Sequence, residues 1–518
     1  MDKAILNIRD LTLRGQGIGQ AEAGERVFFV DGALPGEIVE AELYKQRSNY
    51  NVARLTRIIH PSPERISPTC PVFPECGGCQ LRHFSYPAQL RWKEQHLCNT
   101  FKNVAGIDLN ADTLCLRPII GMDEPYGYRT KVQFPVGGSA GHPHMGFYRR
   151  NSREIVPANV CDVQQPVANH LREVVLELIR SSGMKPWDEE RQSGLIRHLM
   201  VRCGANTGDV MLIIVVQGNE VPPLDGWFER LESAVADFGA EANSRLKLRC
   251  FGVNLHPKRN NVVLGRETRV LGGDPYIEEI INGMRYRLSP GAFFQVNPRQ
   301  TAVLYNQVLR LLMDSEQTRN SGDPRVASAG QTESVVVDLY CGTGAIALQV
   351  AANFVGNNGS GDVVVESGKA DTRCNNGKAG LFEKNRPYVI GVDNVAVSIA
   401  DARANAERNG LADCTEFHIG DAGTWLSAHV AEGLAVSAVI VDPPRSGLEQ
   451  QLIDTLNAVT LVSRAPERLI YVSCNPATLA RDIALLAPRW RIREIQPVDM
   501  FPHTTHVECV VLLSKVQN

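Results

Sequence analysis

The segment DLYCGTGAIAL, Asp338 to Leu348, joins an apolar run to an alanine-rich run through two closely spaced glycines. This pattern predicts a strand before the glycines and a helix after them. Gly342 and Gly344 would let the backbone pass close to a nucleotide-like ligand. The turn has neither the Gly-Lys-Ser of a P-loop nor a complete G-x-G-x-x-G, so it favours a cofactor-binding turn over a phosphate cradle.

Strands and helices alternate on both sides of this turn after about residue 289. The helical pattern NPRQTAVLYNQVLRLLMD precedes it, and the strand patterns YVIGVD, CTEFHIGD, AVIVDPPR, RLIYVSCNP and HVECVVLLS follow. Such alternation predicts a doubly wound parallel sheet over residues 289–518. Two stretches rich in Gly, Ser, Asn and charge, 315–333 and 355–380, are expected to be flexible surface insertions without function.

Acidic residues close two of these strands. Asp393 ends the strand IGVD, where a carboxylate is placed to bind ribose hydroxyls, and Asp421 ends the strand HIGD. Together with the glycine turn, these strand ends resemble the cofactor site of class I methyltransferases, which use S-adenosylmethionine.

Three further side chains stand at strand ends in the same region. The prolines of VDPPRSG hold Asp442 on a rigid loop, which resembles the loop of exocyclic-amine methyltransferases with Arg445 in place of the aromatic residue. Cys474 in YVSCNP is either a packed thiol or a reactive one, and Asn475-Pro476 predicts a turn just past it. Glu508 in HVECVVLL lies either at a solvated strand end or in a functional site, and its thiol and methyl-donor neighbours favour the second interpretation.

The first 60 residues alternate apolar and polar side chains between Gly and Pro turns, as in a small β-barrel. Tyr44 and Tyr50 lie among basic residues there, which suits single-stranded nucleic acid, although a solvated strand face fits equally well. Those basic residues are Lys45, Arg47, Arg54, Arg57 and Arg65. A second candidate RNA surface, residues 126–153, has five basic and five aromatic side chains and no acid.

A cysteine cluster with the spacing C-x5-C-x2-C comprises Cys70, Cys76 and Cys79. A zinc ion or a [4Fe-4S] cluster would need a fourth ligand, for which Cys161 is the first candidate and His83 or Cys98 are alternatives. The spacing differs from the C-x3-C-x2-C of radical enzymes, so a structural or RNA-ordering role is favoured.

The whole chain has 518 residues, enough for two to four domains, with 43% hydrophobic and 21% charged residues and a net charge of -3. It opens without an apolar core segment and has no membrane-length apolar run, so we expect a cytoplasmic protein with no membrane contact. Its 13 cysteines are then expected to be mostly reduced.

These motifs together resemble the RNA uracil-5-methyltransferase family, and the bacterial enzymes that act on 23S rRNA in particular. The resemblance covers nearly the whole chain and includes FFQVN, Phe293 to Asn297. It implies a multidomain α/β protein: an RNA-binding TRAM β-barrel at 1–60, a central α+β iron–sulfur and RNA-binding domain at 61–288, and a Rossmann-like methyltransferase domain at 289–518. A monomer acting on 23S rRNA is expected, with the T-loop uridine of tRNA as the alternative target.

The resemblance also implies roles for single residues. Cys474 would be the nucleophile that adds to carbon 6 of uracil, Glu508 the base that removes the carbon-5 proton, and Phe293 a residue that stacks on the target base. The residues assigned to S-adenosylmethionine are Gln295, Tyr340, Gly342, Gly344, Asp393, Asp421 and Asp442, the last at its junction with uracil. The [4Fe-4S] ligands would be Cys70, Cys76, Cys79 and Cys161. Ala345 departs from the family, in which some members have Asn, so one cofactor hydrogen bond is in doubt.

Two rival functions remain at this stage. An exocyclic-amine methyltransferase would use Asp442 but leaves Cys474 and Glu508 together unexplained. A non-catalytic RNA-binding or RNA-folding protein would use only the barrel and the cysteine cluster.

Overall fold

The computed structural model describes residues 3–21, 26–111, 114–258, 260, 262–313, 335–356, 388–461 and 466–516. The two predicted insertions lie outside these ranges, apart from Val355 and Gly356. None of the described helices is both long and apolar enough to cross a membrane.

The N-terminal residues form a closed five-stranded barrel in the order β1-β2-β3-β5-β4. Its strands are β1 Lys3–Leu11, β2 Gln16–Gln20, β3 Val27–Asp31, β4 Ile38–Gln46 and β5 Tyr50–His60. Alternate apolar side chains fill its small core, as the period-2 pattern predicts. A Cβ on Gly19 would come within 2.8 Å of the Ile8 side chain, so glycine is needed where β2 curves over β1.

A seven-stranded sheet in the order β13-β12-β11-β10-β7-β8-β9 occupies the middle of the chain. Its strands are β7 Lys131–Gly138, β8 Pro143–Tyr148, β9 Ile155–Pro157, β10 Ile196–Cys203, β11 Asp209–Gln217, β12 Lys247–His256 and β13 Glu267–Gly273. Helix α1 Tyr86–Ala105 packs against the helix Pro476–Leu486 of the C-terminal region, whereas α2 Pro166–Ser182 and α3 Trp227–Glu241 accompany the middle sheet. Both faces of β10 are buried, because α2 and α3 cover one face while Met200 joins the core of the C-terminal region on the other.

The C-terminal region is built on an eight-stranded sheet in the order β18-β17-β16-β19-β20-β22-β21-β6. Its strands are β6 Cys115–Leu116, β16 Val335–Leu339, β17 Tyr388–Asp393, β18 Thr415–Ile419, β19 Val436–Val441, β20 Arg468–Ser473, β21 Trp490–Val498 and β22 Glu508–Lys515. A hairpin, β14 Ile277–Ile281 and β15 Met284–Leu288, precedes it. Short β6 is contributed by the segment just after α1 and pairs with β21.

Helices cover both faces of this sheet, with a separate apolar cluster on each. They are α4 Pro298–Met313, α5 Ala345–Gly356, α6 Ala396–Arg408, α7 Ala422–Ala431, α8 Gln450–Val459 and α9 Pro476–Leu486. The last strand departs from the predicted parallel sheet: β22 runs antiparallel to both β20 and β21, because the chain turns back from β21 without a crossover helix.

The strand order reverses between β16 and β19. The chain adds β17 and β18 on one side of β16, and it adds β20 on the other side of β19. Ligands of open α/β sheets bind at the carboxyl ends of strands beside such a reversal. The glycine turn after β16 and the DPP loop after β19 meet at this edge, so the fold brings two of the predicted motifs together.

Candidate active site

The turn after β16 is held in an uncommon backbone conformation. Tyr340, Gly342 and Gly344 all have positive φ, at 64°, 54° and 77°. A Cβ on Gly344 would lie 2.9 Å from the Phe417 ring, whereas a Cβ on Gly342 would meet no atom within 4 Å. Gly344 is therefore required for packing as well as φ, and Gly342 leaves open space above the turn.

Asp393, at the end of β17, is half-buried and braces this turn. One carboxylate oxygen accepts a hydrogen bond from the backbone N–H of Gly342 at 3.0 Å, and the other accepts one from Val395 at 2.8 Å. Asp421 is exposed after β18 and caps helix α7 by accepting from the Thr424 N–H at 2.8 Å. Both predicted cofactor acids thus lie at the carboxyl edge of the sheet.

Tyr340 lies in the turn after β16, whereas Gln295 and Phe293 belong to a separate segment of the chain. Burial, with Glu449 and Asp421 nearby, raises the pKa of the half-buried Tyr340 to about 12. Gln295 is half-buried and Phe293 is 68% exposed, in the segment between β15 and α4. This exposure leaves the Phe293 ring available to stack on a ligand.

The register of β20 and β22 brings the predicted nucleophile and base together. Ser473 pairs with Cys509 in this antiparallel ladder, and one further step places Cys474 opposite Glu508. Glu508 is only 3% exposed. Burial and the Asp442 charge raise the pKa of Glu508 to about 8. Burial and the negative charges of Glu508 and Asp442 raise the pKa of the Cys474 thiol to about 11.

Asp442 lies just after β19 and completes this acidic group. It retains partial exposure, and burial raises the pKa of its carboxyl to about 7. Its charge acts on both Cys474 and Glu508, so the structure brings the three side chains into one electrostatic site. Thiol and carboxyls with pKa values shifted in this way are typical of functional sites.

Two acidic or basic residues at this site were not among the predicted ones. Asp338 is buried in β16 and accepts from the Ala347 N–H at 3.0 Å. Burial and the charges of Asp442 and Asp393 raise the pKa of the Asp338 carboxyl well above its ordinary value. Arg445 faces Cys474 and Glu508, and its positive charge opposes the rise of both of their pKa values. The sequence does indicate Asp338, because it is the one acidic residue in the apolar strand VVVDL.

The DPP loop is fastened to helix α9. The Asn475 side chain caps α9 through the Ala477 N–H at 3.1 Å and donates to the Arg445 carbonyl at 3.0 Å. Asp482 accepts from the Leu448 N–H at 2.8 Å. The sequence prediction of a turn after Cys474 therefore missed a helix start, since Asn at the cap and Pro at the first position are a helix signal.

The segment leading into Glu508, residues 499–507, contacts distant parts of the chain. Asp499 forms a fully buried ion pair with Lys93 of α1, with Nζ and Oδ1 2.6 Å apart. The His503 carbonyl accepts from the backbone N–H of Gln80 at 3.0 Å, and Thr505 donates to the Leu13 carbonyl at 2.7 Å. The base is thereby joined to α1, the cysteine loop and the barrel.

The four predicted metal ligands are half-buried free thiols. Burial and the neighbouring thiols raise the pKa of Cys79 to about 12 and that of Cys161 to about 11, which places residues 76, 79 and 161 near one another. Cys98 instead lies in the apolar cluster under the C-terminal sheet. Within the described ranges, no group of three or more His, Cys, Asp or Glu side chains is arranged to hold a metal ion.

A groove of about 700 Å³ opens where the barrel, the cysteine loop and the β8–β9 hairpin meet. Its lining includes Arg14, Gly77, Tyr148, Arg150 and Arg153. The hairpin thus contributes part of the second predicted RNA surface. Other predicted RNA contacts do not line the groove; among them, Arg65 pairs with buried Glu37, and Lys131 is half-buried on β7.

The chain is similar to known RNA methyltransferases. A family model described as tRNA (uracil-5-)-methyltransferase matches residues 424–516. An uncharacterized RNA methyltransferase of Halalkalibacterium halodurans is 34% identical over 513 residues, which cover 99% of this chain and 97% of that protein. One from Listeria monocytogenes is 37% identical over 511 residues, which cover 98% of this chain and 96% of that protein.

A solved structure shares the fold. It is the tRNA (uracil-54, C5)-methyltransferase of Pyrococcus abyssi in complex with S-adenosyl-L-homocysteine, with a TM-score of 0.69, 23% identity and coverage of 99% of this chain and 100% of that chain. The relatives above exceed 30% identity over nearly their whole lengths, so the relationship includes the barrel and the middle sheet. The chain belongs to the same RNA methyltransferase family as these relatives, and its C-terminal residues 424–516 match the tRNA (uracil-5-)-methyltransferase model.

Proposed function

We propose that the protein methylates carbon 5 of a uridine in 23S rRNA through a covalent adduct between Cys474 and the base. The observation that carries this proposal is the juxtaposition of Cys474 and Glu508 in the β20–β22 register, beside Asp442 at the carboxyl edge of the sheet. An amine methyltransferase needs no thiol opposite a buried carboxyl group, so this pair favours attack on a ring carbon.

Carbon 5 of uracil is a weak nucleophile. The thiolate of Cys474 makes it more nucleophilic by forming a temporary covalent bond to the base. Its sulfur forms a bond to carbon 6, which leaves an enolate with carbon 5 as the nucleophilic centre. S-adenosylmethionine supplies the methyl group as an electrophilic sulfonium. The Glu508 carboxylate then accepts the proton from carbon 5, the bond from sulfur to carbon 6 breaks, and Cys474 leaves as a thiolate.

Glu508 suits this role because burial brings its pKa to about 8, near the operating pH at which a general base is most effective. Asp442, whose pKa is about 7, is assigned to accept the N3–H of uracil, which would select uracil over cytosine. Phe293 is assigned to stack on the base, which must leave its own stack to reach this site.

The methyl donor is assigned to the edge formed by β16, β17 and β18. The open space above Gly342 and the braced conformation of its turn support a ligand there. The contacts proposed for S-adenosylmethionine are Gln295, Tyr340, Gly342, Gly344, Asp393, Asp421 and Asp442. Asp393 would then share its carboxylate between backbone N–H groups and ribose hydroxyls.

RNA is assigned to the barrel, as a TRAM domain over residues 1–60, and to the groove beside the cysteine loop. Arginines and aromatic side chains line this groove, a combination that suits phosphates and unstacked bases. The T-loop uridine of tRNA is the second candidate, since the Pyrococcus abyssi enzyme is named for uracil 54 of tRNA. Mapping 5-methyluridine by mass spectrometry in rRNA and tRNA from cells lacking the gene distinguishes the two.

A [4Fe-4S] cluster held by Cys70, Cys76, Cys79 and Cys161 is proposed for the central region, residues 61–288. Four thiols suit such a cluster, and the positive charge of Arg82 acts on Cys76 and Cys79, while the Asp162 carboxylate acts on Cys161. When bound, the cluster would tie the cysteine loop beside the RNA groove to the segment before α2.

The catalytic assignment is tested with two variants and a uridine-containing RNA substrate. Cys474→Ala should lose methylation entirely, because no nucleophile remains to activate the ring. Glu508→Gln should still accept the methyl group but release RNA slowly, so a protein–RNA adduct should accumulate on a denaturing gel. Full activity of Cys474→Ala, or fast turnover by Glu508→Gln without an adduct, would contradict the mechanism.

A further inference from the structure

Arg445 is fixed across the pair formed by Cys474 and Glu508. On one side, Asn475, the residue after Cys474, donates to the Arg445 carbonyl at 3.0 Å, and Thr478 donates to it at 3.3 Å. On the other side, the Arg445 guanidinium Nη2 lies 3.4 Å from Nε2 of His506, two residues before Glu508. Arg445 therefore contacts the segment after β20 through its backbone carbonyl and the segment before β22 through its guanidinium.

His506 is suited to accept this contact. A guanidinium only donates, so the imidazole must be neutral and present a lone pair at Nε2. Burial and the positive charges of Arg445, Lys93 and Arg129 lower the pKa of His506 to about 4, so the ring stays neutral near pH 7. The backbone N–H of His506 is held by the Thr504 hydroxyl at 3.3 Å.

The site needs a cation for its own chemistry. Cys474 faces Glu508 on β22 and Asp442 on the loop after β19, and both negative charges oppose formation of a thiolate. The positive charge of Arg445 acts on the Cys474 thiol in the opposite sense. A nearby cation favours the ionised thiol.

We propose that Arg445 stabilises the Cys474 thiolate and that His506 is a positioning residue, which holds the Arg445 guanidinium beside the strand end that carries Glu508. The proton leaves sulfur for solvent, and the electron pair that remains on sulfur is the one that attacks carbon 6. This inference rests on the proposed function only in treating Cys474 as the nucleophile.

The test measures the reactivity of Cys474 without RNA or methyl donor. Full-length protein is treated with iodoacetamide across a pH range, so that the sulfur gains a carbon bond and iodide leaves. Trypsin then releases LIYVSCNPATLAR, residues 469–481, in which Cys474 is the sole cysteine. Mass spectrometry of this peptide gives a rate at each pH that is unaffected by the other thiols.

Arg445→Gln should shift the midpoint of the curve of Cys474 alkylation rate against pH about one pH unit higher. At a fixed pH below that midpoint, the alkylation rate should then fall about tenfold. Arg445→Lys should recover most of the rate, because it restores the charge. His506→Ala should give an intermediate loss, and His506→Asn, which retains an acceptor, should recover part of it. Arg491→Gln, an exposed arginine on β21, is the matched control and should leave the profile unchanged.

An unchanged profile in Arg445→Gln would overturn the role of Arg445, and an equal loss in Arg445→Lys would overturn its electrostatic basis. An unchanged profile in His506→Ala would overturn the positioning role of His506. These outcomes differ from failure of the proposed function, which appears as methylation by Cys474→Ala. Thermal unfolding of each variant shows whether a change in rate follows from loss of the fold.

Discussion

At the candidate active site, burial raises the pKa of single acidic side chains above their ordinary values. Glu508 is almost fully buried, and its neighbours Asp442 and Cys474 are themselves acidic. A buried carboxyl without a paired cation is more stable when it is protonated. The residue proposed as the base therefore makes the folded state sensitive to pH.

The folded-state pKa of Glu508, about 8, lies above its ordinary value of 4.5. The folded state thus holds this proton more tightly than the unfolded state. The contribution to stability is complete below the ordinary pKa and is lost as the pH rises towards 8. Each unit of separation corresponds to about 1.4 kcal/mol in the free energy of unfolding.

Glu508→Gln should therefore be more stable relative to the native chain at pH 8 than at pH 5. Urea denaturation at the two pH values measures this difference. Glu432→Gln, at an exposed carboxylate after α7, is the control for loss of one charge and should show no such change. A difference in stability that is equal at both pH values would mean that Glu508 is not held protonated by burial.

At the scale of elements, the segment of residues 499–507 fixes where the base lies. It joins β21 to β22 and is held by α1 through Lys93 and Tyr86, both bonded to the Asp499 carboxylate. Asn297, just before α4, donates to the Met500 carbonyl at 2.9 Å. These contacts come from segments more than 190 residues away in the chain.

Lys93→Ala should destabilise the protein by about 3–5 kcal/mol, because it leaves the buried Asp499 charge without its partner. Chemical denaturation measures this loss, with Lys102→Ala at an exposed position of the same helix as the control. Lys93→Ala combined with Asp499→Asn should recover part of the loss, since the unpaired charge is then absent. A loss no greater than that of the control would show that the pair does not stabilise the fold.

Element prediction succeeded where the pattern was long and periodic, as in α4 and the apolar strands of the C-terminal sheet. It did not identify α7, α8, α9 or β21. These helices are short, and α9 begins at an Asn-Pro pair that equally well signals a turn. The antiparallel direction of β22 depends on how the chain returns from β21, which periodicity does not encode.

At the scale of the whole molecule, the proposed iron–sulfur ligands come from two segments. Three cysteines precede α1, and Cys161 precedes α2, with β7, β8 and β9 between them. The loop with Cys76 and Cys79 also lines the basic groove and touches the barrel through Arg150, which donates to the carbonyls of Cys79 and Arg14. A cluster here would hold together the surface that is proposed to bind RNA.

Protein purified without oxygen should be brown and should contain iron and sulfide in a ratio of about one to one, as a [4Fe-4S] cluster requires. Cys161→Ala should lose most of this iron, whereas Cys98→Ala, a cysteine in the C-terminal core, should keep it. Metal analysis and visible absorbance give both results. A colourless protein that contains zinc would contradict the iron–sulfur proposal.

The alternating strands and helices and the strand-end motifs could be deduced from local sequence, because each depends on a short pattern of apolar, glycine and acidic residues, whereas the roles of the candidate residues followed from the family resemblance. The pairing of Cys474 with Glu508, the place of Arg445 between them and the burial that shifts their pKa values could not, because they depend on strand register and on packing between distant segments. The sequence offered Glu508 as either a solvated or a buried carboxylate. The folded structure shows that Glu508 is a buried carboxyl group, because its side chain is only 3% exposed.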